Sequence, residues 1–332
     1  MKITKKVTSS SKIDRLFLLP VALLAVASVP ADGSMIFASG QKLVPGDPAI
    51  PPGEPGHDDS RENYVYSIDV ATGIATPVSP VTTGLPSALG GSRNQELYGF
   101  KNGELMRIGP TTGSQQSLGN NGLRSTAFEI LPDGRAFILP FNDDFDTQQL
   151  YQIDLTDGME TLVSLSETEI GDAIDLSAGN SAGTTGPFVI SLGAVGDILY
   201  GVDLDSDSLI ALSPDTGRAG VVGPVGAVGA VTDGDTSYFG FSALTGVDET
   251  GDGVYDSLFG AVNFARENGE TERLGGVARF DLTDGSWELV GTNPGVIFFG
   301  MGSSPVPEPS TMILLSLAIT TRCFRRRRIP LS

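Results

Sequence analysis

VYSIDVATGIATPV (65–78), LMRIGPTTGSQQSL (105–118), LYQIDLTDGMETLV (150–163), LIALSPDTGRAGVV (209–222) and VARFDLTDGSWELV (277–290) align without a gap. Glycine holds the ninth place in each: Gly73, Gly113, Gly158, Gly217 and Gly285. Thr or Asp precedes it (Thr72, Thr112, Asp157, Thr216, Asp284), and the fourth place is always apolar (Ile68, Ile108, Ile153, Leu212, Phe280). Alternating apolar and polar residues put one face of a strand inward. A Thr-Gly or Asp-Gly pair supplies the positive φ that a short hairpin loop demands. Each segment is therefore predicted to be a β-hairpin.

Upstream of every hairpin lies another apolar stretch: MIFASG (35–40), LYGF (97–100), AFILPF (136–141), ILYGV (198–202) and YFGF (238–241). Two of these have a further partner. STAFEIL (125–131) joins AFILPF through Pro132-Asp133-Gly134, and PFVISL (187–192) joins ILYGV through 193–197. Each unit thus holds up to four antiparallel strands, and successive hairpins start 40, 45, 59 and 68 residues apart. Four-stranded repeats of about 40–50 residues mark a β-propeller. The expectation is an all-β body over 32–305 with five blades. GVIFFGMG (295–302) stands where it can complete the blade that MIFASG begins, which would tie the ring shut and protect its edges. A β-sandwich or an open solenoid is the alternative.

Charge narrows the function. The 332 residues carry 21 Lys and Arg against 40 Asp and Glu, a net charge of −19. The two ends hold ten of the basic residues and two of the acidic ones, so the body keeps 11 and 38, a net of −27. Such a body repels nucleic acid and anionic lipid. It contains one histidine, His57, and no cysteine, since Cys323 lies in the tail. Disulfides, zinc-finger spacings and cysteine nucleophiles are thereby excluded from it.

The ends read as addresses. Lys2, Lys5, Lys6, Lys12 and Arg15 precede the apolar run LFLLPVALLAVASV (16–29), and small residues follow, as in a secretory signal cleaved after Ala27 or Ala31. Residues 1–31 are assigned to it. An uncleaved anchor is the alternative, but fourteen residues of helix span only about 21 Å, short of a bilayer core of about 30 Å. At the other end, 306–332, Pro307-Glu308-Pro309-Ser310-Thr311 is followed by a short apolar stretch. Arg322 and Arg325, Arg326, Arg327 and Arg328 come last. This order resembles the PEP-CTERM sorting tail of exported bacterial proteins. The resemblance covers about the last 25 residues. It implies the secretion machinery and an exosortase as partners, and delivery to the cell surface or to a polysaccharide matrix. The apolar stretch is interrupted by Ser316, Thr320 and Thr321, so membrane contact is expected to be transient. The arginines should stay cytoplasmic and hold the body outside. A plain tail anchor is the other reading.

Counting blade strands from the axis outward, the connections between second and third strands are expected to carry the insertions: 41–63, 101–104, 142–149, 203–208 and 242–276. They hold 19 of the body's 38 acids, so one face is expected to be acidic and loop-rich. Within the longest, DETGDGVYD (248–256) resembles the calcium loops of dockerin and thrombospondin-type repeats. Oxygens at alternate positions (Asp248, Thr250, Asp252, the Val254 carbonyl, Asp256) can wrap a hard cation, with Gly253 at the sharp turn. The twelfth place, where a carboxylate belongs, is Phe259. A plain acidic turn is the competing reading. Asp203, Asp205 and Asp207 form a weaker candidate.

Catalysis has little to stand on. A hydrolytic triad needs an imidazole base, and His57 sits in the loop PPGEPGHDDSRE. Phosphate-binding glycine motifs are absent, and the glycines mark turns. The function expected is a non-catalytic surface or matrix propeller for adhesion, scaffolding or glycan binding. The rival is a glycan-active enzyme with a carboxylate pair in a central funnel.

Overall fold

The computed structural model describes residues 35–44, 60–81, 84–92, 96–141, 148–163, 188–204, 206–226, 236–266 and 274–304. The leader, His57 and the tail lie outside them. The described residues contain twenty strands in five four-stranded antiparallel sheets, and no helix.

The first sheet runs outward from β20 (Val296–Ser304) through β1 (Met35–Val44) and β2 (Ser60–Ile68) to β3 (Ala75–Pro80). The second holds β4 (Ala88–Gly91), β5 (Leu97–Lys101), β6 (Glu104–Ile108) and β7 (Gln115–Asn120). The third holds β8 (Arg124–Ile130), β9 (Ala136–Phe141), β10 (Tyr151–Ile153) and β11 (Glu160–Leu162). The fourth holds β12 (Gly193–Val195), β13 (Ile198–Asp203), β14 (Ser208–Leu212) and β15 (Ala219–Pro224). The fifth holds β16 (Thr236–Val247), β17 (Ser257–Arg266), β18 (Leu274–Phe280) and β19 (Trp287–Pro294). This is the five-bladed propeller expected from the repeat. The last strand of the chain is the inner strand of the first blade, pairing Met35 with Ser304 and Lys42 with Val296.

Five apolar clusters hold the ring, one at each blade interface. Between blades three and four, for example, Phe137 and Leu139 meet Leu199 and Ile210. Ala136 and Ile138, on the opposite face of the same strand, meet Phe100 of blade two. A strand buried on both faces must be apolar throughout, which is why AFILPF reads as a continuous run.

All five hairpins form as third and fourth strands, and all five ninth-place glycines have φ between +63° and +79°. Their loops are alike. Asp69 N–H donates to Ile74 O at 3.1 Å, and Gly73 N–H donates to Asp69 O at 2.8 Å. The same pair of bonds recurs at Gly109, Asp154, Ser213 and Asp281. The loop therefore has four residues, with glycine last. The Thr or Asp before that glycine braces the loop through its side-chain oxygen. The oxygen accepts the N–H just past the glycine, at 2.9 Å from Asp157 and Asp284 and at 3.3–3.4 Å from the threonines.

A further repeat lies one place beyond the fourteen-residue alignment. In four blades the fourth strand bulges, leaving Val78, Leu118, Val222 or Val290 as an extra half-buried residue. The next residue is small: Ser79, Gly119, Gly223 or Gly291. A Cβ on Gly119, Gly223 or Gly291 would overlap the backbone carbonyl of Asp157, Asp284 or Thr72, respectively, each in the hairpin loop of the following blade. Blades thus mesh backbone to backbone at their rims.

One expectation is corrected. Residues 242–276 are not a single insertion. YFGF belongs to the long inner strand β16, FGAVNFA lies in the second strand β17, and 248–256 is the turn between them. That turn lies on the same face as the hairpin loops, so Asp248, Glu249, Asp252 and Asp256 leave the face assigned to them and load the opposite one.

Gly223→Ala and Gly291→Ala should each lower stability by about 2 kcal/mol through overpacking. Gly220→Ala, in the same strand as Gly223 but with open space at its Cβ, should change it by less than about 0.5 kcal/mol. Urea unfolding of the three variants measures this.

Candidate functional site

The inner strands end together on the face that carries the hairpin loops, here the turn face. At that end the axis is filled. Glu129, near the end of β8, is fully buried. Its Oε1 accepts Ile130 N–H at 2.9 Å and its Oε2 accepts Gly246 N–H from β16 at 3.2 Å. The Ser303 hydroxyl donates to Gly246 O. Tyr255, from the 248–256 turn, is also buried, and its hydroxyl donates to Ser303 O at 3.1 Å with Gly91 O 3.4 Å away. Gly196 N–H donates to Tyr255 O at 2.8 Å. Each of the five blades contributes at least one member of this chain of contacts.

Burial pushes the Glu129 carboxyl well above the usual carboxylate range, opposed by the two amides and by Thr245. Ionisable side chains are scarce around it. The five inner strands carry only Arg124, at the far end of β8, Tyr238 on β16, and Glu129 itself. Glu129 does not stand out in the sequence, because one acid within STAFEIL looks like an outward place in an alternating strand.

The calcium candidates occupy one turn, where its own backbone amides take up their carboxylates. Asp248 is fully buried, and its Oδ1 accepts Gly251 N–H at 2.6 Å and Asp252 N–H at 3.1 Å, while Oδ2 accepts Gly253 N–H at 2.8 Å. Asp256 accepts Glu249 N–H at 3.0 Å and Thr250 N–H at 3.1 Å, and Asp252 accepts Val254 N–H at 2.9 Å. Gly251 and Gly253 have φ of +76° and +86°, which allows the tight winding around Asp248. Among the described residues no three His, Cys, Asp or Glu side chains converge as a metal cluster. Asp203 is likewise taken up by Phe188 N–H at 2.7 Å and the Ser206 hydroxyl at 2.5 Å. Asp205 lies outside the described residues.

Beside the turn a cleft of about 540 Å³ is lined by Asp256, Ser257, Arg279, Asp281 and Trp287. Arg279 is paired with Glu249 at 2.5 Å and lies over the Phe259 ring. Trp287 is no free sugar platform. Its Nε1 donates to Val225 O at 2.8 Å and its ring stands edge-on to Phe241, so it joins blade five to blade four.

The sorting residues Pro307, Glu308, Pro309 and Arg325 to Arg328 lie outside the described residues, but the chain reaches them directly from β20. Residues 305–328 match the PEP-CTERM protein-sorting motif. The tail is a PEP-CTERM sorting signal. Such a motif implies an exported protein processed by an exosortase. No curated protein has significant sequence similarity to the chain. Among solved structures, the nidogen/laminin complex has a chain 11% identical, covering 83% of this chain and 99% of its own, with a TM-score of 0.41. The putative TolB of Agrobacterium tumefaciens is 12% identical, covering 82% and 100%, at 0.37. The calcium-binding protein regucalcin from the same organism is 15% identical, covering 64% and 69%, at 0.35. Likenesses this remote carry no information on function.

The axis and the turn each have a measurable consequence. A carboxyl whose folded pKa is raised stabilises most below its unfolded pKa of about 4.3, and that stability is lost as pH rises towards the folded value. The melting temperature of Glu129→Gln relative to the parent should therefore climb between pH 4 and pH 8. A flat difference would contradict the axial burial. Asp248→Ala, which strands three amides, should cost about 3 kcal/mol in urea unfolding, and Asp252→Ala well under 1 kcal/mol.

Proposed function

We propose that the PEP-CTERM propeller is a cell-surface or matrix protein with a non-catalytic binding or scaffolding role. After export and processing by an exosortase it would hold extracellular polysaccharide or a neighbouring surface component. The observation that carries this reading is the sorting motif that follows the ring-closing strand without an intervening domain. The glycan-active alternative needs two carboxyls about 5–10 Å apart in a central funnel. The described inner strands offer one, Glu129, and it is buried from solvent. That supports binding over hydrolysis.

Calcium binding by Asp248, Thr250, Asp252, Val254 and Asp256 is a separate element of the proposal, supported by their oxygen spacing. Titration calorimetry of the secreted protein tests it, with Asp252→Ala as control. An absence of heat in the parent removes calcium from the reading.

The sorting element has its own test. Replacing Arg325 to Arg328 with neutral residues should release the chain from membrane retention and deplete it from the cell surface, as fractionation and surface labelling would measure. Normal surface delivery of that variant would sink the reading. A glycan array probed with the secreted protein tests the binding role, and the same protein left with polysaccharide should release no reducing ends.

A further inference from the structure

Strand β20 ends at Ser304, paired with Met35, on the turn face. The sorting motif begins one residue later. Only residues 305–311 separate Ser304 from the apolar stretch that starts at Met312, and seven residues reach about 25 Å when fully extended. The nine residues of β20 rise about 30 Å. A tail that had to run back along the blade to the opposite face would not reach the bilayer. While the tail is in the membrane, the turn face must be the side turned towards it.

That face also has a distinct surface. Nine large hydrophobic residues are exposed among the described residues. Five of them (Met35, Ile74, Met159, Ile198 and Val254) stand at turns or strand ends on this face, 42–60% exposed. Leu162, Val221 and Leu289 lie instead on outer strands, and Phe299 on inner strand β20. Acidic residues on the same face, among them Asp69, Asp154, Asp197, Asp215, Asp281 and Asp284, outnumber Arg135, Arg218 and Arg279. Arg135 is already bound to Asp133 and Asp215, both at 2.6 Å. An acidic face is repelled by anionic lipid. The surface it fits is a protein with apolar and basic groups.

We propose that the turn face docks, during sorting, against the extracytoplasmic surface of the membrane enzyme that processes the tail, with Met35, Ile74, Met159, Ile198 and Val254 as its apolar contacts. This rests on the tail being an exosortase signal. The short leash makes the contact effectively intramolecular, so even dispersed apolar contacts contribute. The far face, with the connections between second and third strands, then points outward for a ligand.

The test is a pulse–chase of the full-length chain in the producing bacterium, following conversion of precursor to processed form. Ile74→Asp combined with Met159→Asp should slow conversion at least fivefold, while the exported propeller stays as protease-resistant as the parent. Val221→Asp, on an outer strand, should convert at the parental rate. Inserting twenty Gly and Ser residues after Ser304 releases the face from the membrane, so parent and double variant should then convert equally. Parental conversion of the double variant without the insertion overturns the docking and leaves the sorting signal intact. Slow conversion that persists with the insertion also overturns it. Normal conversion after neutralising Arg325 to Arg328 removes the sorting reading itself. Binding of the purified parent to anionic vesicles, abolished by the same two substitutions, would replace the enzyme with lipid and refute the partner named here.

Discussion

The pairing of β1 with β20 is the constraint on which the rest of the molecule depends. It joins residues at opposite ends of the folded body, and the entropy of closing so long a loop exceeds that of a short one only slowly with length. The gain is large. Without β20 the cluster between blades five and one would lose Val296, Phe298 and Met301, and β1 would present an open edge. The same strand carries Ser303 into the axial contacts. A ring that closes this way has no weak terminal blade, and each blade can bury both of its faces.

At the rim the contact is of another kind. Side chains hold the blades together near the axis, but backbone meets backbone where Gly119, Gly223 and Gly291 receive the carbonyls of the next hairpin loop. Asn121 and Asn293, two residues further along, donate to Gly158 O at 3.1 Å and Gly73 O at 3.0 Å of those same loops. Turn shape and strand bulge therefore have to agree between neighbouring blades. This explains why the loop is so uniform although its residues vary from Asp-Gly to Thr-Gly.

Much of this is legible in the sequence because it is local. A glycine at positive φ, its preceding oxygen and the alternating strands lie within fourteen residues, and the five copies reinforce one another. The inner strands are harder to read. FSALTGV, in inner strand β16, dilutes its apolar residues with serine, threonine and glycine, because an inner strand packs against close neighbours. The part of blade five before its hairpin consequently reads as one strand and a long loop. Nothing local marks Glu129 or Tyr255 as partners in an axial seal; that role comes from ring geometry, which brings 91, 129, 196, 255 and 303 together from separate blades. The small residue after each bulge is visible as a pattern, one place past the end of the repeat, but its reason is a contact with the next blade.

The filled end of the axis makes the centre of the turn face a joint. Glu129, Tyr255 and Ser303 close it on the side that leads to the tail. A pull on the tail is therefore borne first by β20 and passed through Ser303 to Gly246 and Tyr255, so the load spreads into the blades that meet at the axis.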